Sequence, residues 1–246
     1  MSDEGRVSPG LLDLLLRPLH GWVFRDPARR ARKLLDFART EADSCRHMSR
    51  AAELTADPLL RRLYLRHAED ERRHADAFRA RGAALLRELG GSADGFSASW
   101  LAPGERGFDD LPVETAGDGA LLAYLHLSEK VAAGRFVVYE EVLAPDPLTR
   151  DLFTGILVDE NFHTAYTRKQ LFRLEPGRAR RRLLQAWLLR AWKLYLRAAG
   201  AVAGVLGDLL LRAQYYLLLW PFVLLLPRES PGWTKSRRAP VLESQY

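Results

Sequence analysis

The strongest constraint on this chain is a repeat. Residues 57–74, DPLLRRLYLRHAEDERRH, and residues 146–163, DPLTRDLFTGILVDENFH, share Asp-Pro-Leu-x-Arg-x-Leu and end in Asp-Glu-x-x-His. Each copy follows a glutamate at a matched distance: 28 residues lie between Glu41 and Asp70, and 29 between Glu129 and Asp159. An Asp followed by Pro opens a helix, because the carboxylate caps free backbone N–H groups and Pro has no N–H to waste in the first turn. The chain therefore reads as two similar helical hairpins, each with a Glu on its first helix and Glu-x-x-His on its second.

The apolar spacing supports this. Leu34, Phe37, Ala38, Glu41, Cys45, Met48 and Ala52 recur at intervals of three and four, which predicts a helix from Pro27 to Leu54. The second helix is expected over 57–89, with an inward stripe of Leu60, Tyr64, His67, Glu71, His74 and Phe78. A third is expected over 118–143 and a fourth over 146–174. Ala, Leu, Arg and Glu dominate and β-branched residues are scarce, so the expected fold class is all-α. Between the second and third helices, 90–119 is rich in Gly, Pro, Ser and Asp and is too long for an ordinary turn. A four-helix bundle with a long crossover between its second and third helices accommodates that length. The expected organisation is an amphipathic segment over 1–27, the bundle over 28–176, and a basic, apolar region over 177–246 with further apolar or amphipathic helices.

Glu41, Glu71, Glu129 and Glu160 lie in or beside the apolar stripes, and no Lys or Arg in those stripes pairs with them. Four inward carboxylates without counter-charge are strongly unfavourable in a dry core. Two divalent cations balance them, and oxygen with imidazole donors suits iron or manganese. One Glu-x-x-His in an arginine-rich helix reads as surface charge. Two copies in register, each with its upstream Glu, read as a dinuclear metal site.

This pattern resembles the ferritin-like di-iron carboxylate superfamily, which includes ferritins, rubrerythrins, ribonucleotide reductase small subunits, multicomponent monooxygenases and soluble desaturases. The resemblance covers 28–174. The Glu…Asp-Glu-x-Arg-His signature of the oxygen-activating branch is met by Glu41 with DERRH (70–74). It is met in the second copy by Glu129 with DENFH (159–163), except that Phe162 stands where the signature has Arg. The resemblance implies a ferritin-like bundle holding two iron ions, with manganese as the alternative at one or both positions. The implied ligands are Glu41, Glu71, His74, Glu129, Glu160 and His163. It also implies that Asp70 and Asp159 accept hydrogen bonds from ligand histidines. His67, one turn before Glu71, and His126, three residues before Glu129, are read as core or rim histidines, with support of the ligands as the alternative. Tyr64, Tyr139, Tyr166 and Cys45 are read as core residues.

The implied activity is that of a non-haem di-iron oxidoreductase that uses O2 or peroxide to oxidise or hydroxylate an apolar small molecule. The chain has one cysteine, so it carries no four-cysteine iron module, and electrons are expected from a donor protein. The alternative is a ferroxidase or iron-handling protein, and a metal-free scaffold is a third reading.

Residues 177–246 hold twelve Lys/Arg against three Asp/Glu in a chain of net charge +6, so the basic character belongs to this region. Between Ala198 and Leu226 only Asp208 and Arg212 are charged, and Trp187, Trp192, Tyr195, Tyr215, Tyr216 and Trp220 are interspersed. This predicts contact with an anionic membrane surface through 183–226. The last uninterrupted apolar run, 213–226, is only 14 residues and contains Pro221, which favours an interfacial or re-entrant segment over a straight crossing. The expected location is cytoplasmic, peripheral or monotopic at the membrane. The alternatives are a single crossing, or helices packed on the bundle or forming a homodimer. The basic residues form no nucleic-acid motif, so no nucleic-acid partner is expected.

Overall fold

A computed structural model describes residues 7–91 and 113–225. The described residues are helical with no strand: α1 (Leu11–Leu15), α2 (Arg17–Arg25), α3 (Pro27–Leu54), α4 (Pro58–Glu88), α5 (Asp118–Val142), α6 (Pro147–Leu174), α7 (Ala179–Gln214) and α8 (Trp220–Leu225). A π-helical turn, Tyr215–Leu219, joins the last two. Most of the expected crossover, 92–112, lies outside the described residues.

α3, α4 and α6 start with the same device. Asp26 accepts a hydrogen bond from Arg29 N, Asp57 from Leu59 N and Leu60 N, and Asp146 from Thr149 N, each with Pro as the next residue. α3 packs along α4 and α5 along α6, and α4 also meets α6. The α3–α4 contact is close enough to need a glycine: a Cβ on Gly82 would lie 2.9 Å from Leu35 Cγ and 3.1 Å from the Ala31 carbonyl.

Two apolar clusters fill the space between the four helices. One joins Met48, Leu60, Tyr64, Leu121, Leu122, Leu125 and Leu171. The other is rich in rings, with Phe24, Phe78, Phe136, Tyr139 and Phe153 packed against Phe37. Phe153 lies at the centre of this second cluster, within 6.1 Å, centroid to centroid, of all five of the others.

The N-terminal segment, expected to be continuous, is two helices. Pro18 has no N–H to offer the Leu14 carbonyl, and the chain turns at Leu16. α1 is inside-out: Asp13 is buried and bonded to Arg135 at 3.1 Å, whereas Leu11, Leu12, Leu14 and Leu15 are exposed. Gly134 permits this approach to α5, because a Cβ there would lie 3.1 Å from the Ser8 carbonyl.

The chain divides into two compact units, 1–191 and 192–246. The first extends beyond the expected boundary at 176, since Ala179 is fully buried and Leu183 and Ala186 pack against the core. In the second unit, the apolar window of α7 has none of its residues buried.

Candidate metal centre

The expected face of α4 is inside. Leu60, Tyr64, His67, Glu71, His74 and Phe78 are all buried, as are Glu129 on α5 and Glu160 and His163 on α6. Glu41 on α3 is less enclosed as a residue, but its carboxylate lies with those of Glu71 and His74's ring. Among the described residues no Lys or Arg stands within ion-pair distance of the four glutamates; the ion-pair contacts of Glu71, Glu129 and Glu160 are to histidines.

One potential ligand atom from each of Glu41, Glu71 and His74 lies within 4.8 Å of the others, and so does one from each of His67, Glu71, Glu129 and His163. Glu71 belongs to both groups. Glu160 closes the ring, with Oε1 3.8 Å from His74 Nδ1. The matching contact in the other half is His163 Nδ1 to Glu71 Oε1, also 3.8 Å. All six residues that the repeat singled out are therefore brought together.

The imidazoles are held from behind by the opposite hairpin. His74 Nε2 lies 3.1 Å from Asp159 Oδ2, and His163 Nε2 lies 3.2 Å from Asp70 Oδ2. A carboxylate accepts, so each Nε2 carries the hydrogen and each Nδ1 presents its lone pair to the cluster. Arg73 bonds to Asp70 and reaches Asp159 at 3.3 Å, joining the two supports. Burial would raise Asp70, but the bonds from His163 and Arg73 outweigh it and hold the carboxyl down at about 2.

The opposite shift governs the glutamates. Burial, together with neighbouring carboxylates, drives Glu41 and Glu160 far above the usual range. Burial also raises Glu71 and Glu129. The neighbouring carboxylates include Glu71 in the case of Glu41, and Glu129 in the case of Glu160. His163 is lowered to about 3 by burial and then by His67, so its ring is neutral. This pocket favours ionised carboxylates only with a cation present.

Two features depart from the repeat. His67 is inside the cluster, with Nε2 2.7 Å from Glu71 Oε1 and 3.6 Å from Glu129 Oε1. Its ring stacks on His163 at 3.6 Å, and its Nδ1 meets Tyr166 Oη at 2.7 Å. Tyr166 thus borders the cluster rather than merely filling the core. The signal available in the sequence was the i, i+4 spacing of His67 and Glu71 on one helix face. The second departure is Phe162, over whose ring the Arg66 guanidinium sits at 3.9 Å while Arg66 Nε lies 3.9 Å from Asp70. An arginine from α4 thus accompanies the residue that replaces Arg in the second copy. His126 bonds to the Thr164 carbonyl at 3.0 Å, one residue beyond His163, and ties α5 to α6.

The buried side-chain atoms without a hydrogen-bond partner include Glu71 Oε2, Glu160 Oε2, His74 Nδ1 and His163 Nδ1. They are one oxygen and one nitrogen from each Glu-x-x-His. Buried acceptors left unpaired are costly, and these four are all lone-pair donors. The donor set fits two divalent cations by charge and by chemistry. Comparison with protein-family models, with curated proteins and with solved structures gives no match to this chain.

Proposed function

We propose that the chain is a ferritin-like, four-helix di-iron oxidoreductase that oxidises or hydroxylates an apolar substrate with O2 or peroxide. The observation that carries this reading is the set of four unpartnered acceptors, two oxygens and two nitrogens, at matching positions of the two Glu-x-x-His motifs. Glu41, Glu71 and His74 would hold one metal ion, and Glu129, Glu160 and His163 the other, with His67 beside the second group. Iron in such a site supplies reversible one-electron steps and open positions for oxygen, and manganese is the alternative metal.

The chain's own residues prepare this site. The four carboxylates neutralise the cations, and Asp70, Asp159 and Arg73 fix the ring planes of the two histidines. Phe37, Phe78, Phe136 and Phe153 form a packed aromatic wall in the same bundle, which limits water in the interior. Tyr166 holds His67 by its Nδ1 and gives that ring a defined orientation. With a single cysteine, the chain depends on a separate donor protein for electrons.

An exposed helix apolar enough to cross a membrane favours an organic, membrane-derived substrate over iron storage. The outward leucines of α1 support the same reading. The test is metal content and oxygen uptake of the full chain purified from a membrane fraction. Two irons per chain and oxygen uptake on reduction are expected, with both lost in Glu71→Ala/His74→Ala. Two irons retained by that variant would overturn the assignment, and iron mineralised far beyond two per chain would favour the ferroxidase.

A further inference from the structure

We infer that α7 crosses the bilayer once, between Leu196 and Gln214, with the metal-binding bundle on the cytoplasmic side. This rests on the membrane association proposed above and sharpens contact with the membrane into a crossing.

The objection to a crossing was the length of the run 213–226. In the structure residues 213–225 of that run are the end of a helical stretch that begins at Ala179, so apolar length is measured along α7 instead. Two pairs of rings mark its limits. Trp192 and Tyr195 stack at 5.4 Å before the apolar stretch, and Tyr215 and Tyr216 meet edge-to-face at 5.3 Å after it. From Tyr195 to Tyr215 the chain advances twenty residues. At about 1.5 Å per residue that is about 30 Å, the thickness of a bilayer's hydrocarbon layer. Aromatic rings at both limits occupy the places where such rings settle, at the two membrane–water boundaries.

A helix lying in the membrane plane needs one polar face. α7 has none over 198–211, where Asp208 is the sole charged residue and the large apolar side chains are exposed. Asp208 is itself neutralised by Arg212 at 2.8 Å. Arg212 stands three residues from Tyr215, about 4.5 Å along the axis, so its guanidinium reaches the boundary on its own stem. An ion pair within one helix, with its arginine near one boundary, is compatible with a crossing. Pro221 falls beyond it, next to the π-helical turn that absorbs its missing N–H.

Charge sets the direction. Residues 178–197 carry seven Lys/Arg and no acid, whereas residues 215–246 carry four Lys/Arg and two Glu. The more basic flank stays in the cytoplasm, and the bundle precedes that flank.

The test uses the full chain with Cys45→Ser and one new cysteine, at Arg180→Cys or Ser236→Cys, with Ser230→Cys as a second distal site. Bacterial spheroplasts are treated with a membrane-impermeant maleimide before and after permeabilisation. The distal cysteines should label in intact spheroplasts, and Arg180→Cys only after permeabilisation. If the chain sediments with membranes but all sites label from the same side, the crossing is overturned and the membrane association stands. A chain that stays in the soluble fraction, whether monomeric or with the helix covered by a second copy, overturns both.

Discussion

His163 on α6 donates to Asp70 on α4 at 3.2 Å, and the return contact runs from His74 on α4 to Asp159 on α6 at 3.1 Å. Each hairpin's histidine is thus aimed by the other hairpin's aspartate. Removing Asp159 should therefore act on His74, not on the His163 four residues along its own helix. We expect Asp159→Ala to weaken metal binding about 10–100-fold, the usual cost of losing the group behind a ligand imidazole. Competition of Mn(II) or Fe(II) against a chelator measures it, and unchanged affinity would show that this contact is not what orients the ring.

In the proposed site His67 would give the two metal positions unequal nitrogen content, since Ile156 stands at the matching place of the second copy. His67→Ala should lower occupancy at the position shared by Glu129 and His163 while sparing the one formed by Glu41 and His74. Metal stoichiometry should fall from two toward one per chain at limiting metal. Two tightly held ions in this variant would reduce His67 to a packing role.

Arg66 over Phe162 is a cation–π contact at a partly exposed site. Arg66→Ala is expected to cost about 0.5–1 kcal/mol, read as a fall of about 1–4 °C in melting temperature. Phe162→Leu should produce a similar loss, and the double variant should cost less than the sum of the two. Strict additivity in that cycle would mean that the two side chains do not interact.

Asp146 links hairpins away from the candidate metal site, with Arg81 at 3.1 Å, Arg30 at 3.1 Å and the Thr149 N–H at 3.2 Å. Burial alone would raise its pKa, but the bonds from Thr149 and Arg81 and the charge of Arg30 prevail and hold it below the ordinary 3.8. A depressed folded value stabilises the fold above the unfolded value, and that contribution is lost as pH falls through the folded one. Asp146→Asn should therefore lower the melting temperature at pH 7, and the gap from wild type should close below about pH 4. A gap independent of pH from 7 to 3 would refute the assignment.

Phe153 is fully buried in the ring cluster. Phe153→Ala should cost about 3–5 kcal/mol in unfolding free energy by leaving a cavity among five rings. Loss below about 1 kcal/mol in denaturant titration would show that the cluster collapses to fill the space.

Much of this architecture was legible because its signals are local. Asp-Pro at 26–27, 57–58 and 146–147 announced three helix starts, and each Asp does cap its helix. The six repeated residues could be found because each had a counterpart in the other copy. His67 was given less weight than those six for the converse reason: reading by repeat discounts a feature present in only one half. The Arg66–Phe162 contact joins residues 96 apart, and no local period reveals such a pair. Pro221 suggested an interruption in the tail, but one wider helical turn accommodates it and the helix continues. Pro18 did break the N-terminal segment, where no such turn forms.

The crossed aspartates have a consequence for how the chain can be divided. A hairpin taken alone keeps its glutamates and its histidine but loses the group that aims that histidine. The two copies cannot be separated into working halves, and deleting one would leave the other with a ring free to turn. Substitution of Asp70 or Asp159 is therefore expected to register on the histidine of the other repeat, so that each half depends on the other for the aim of its ring.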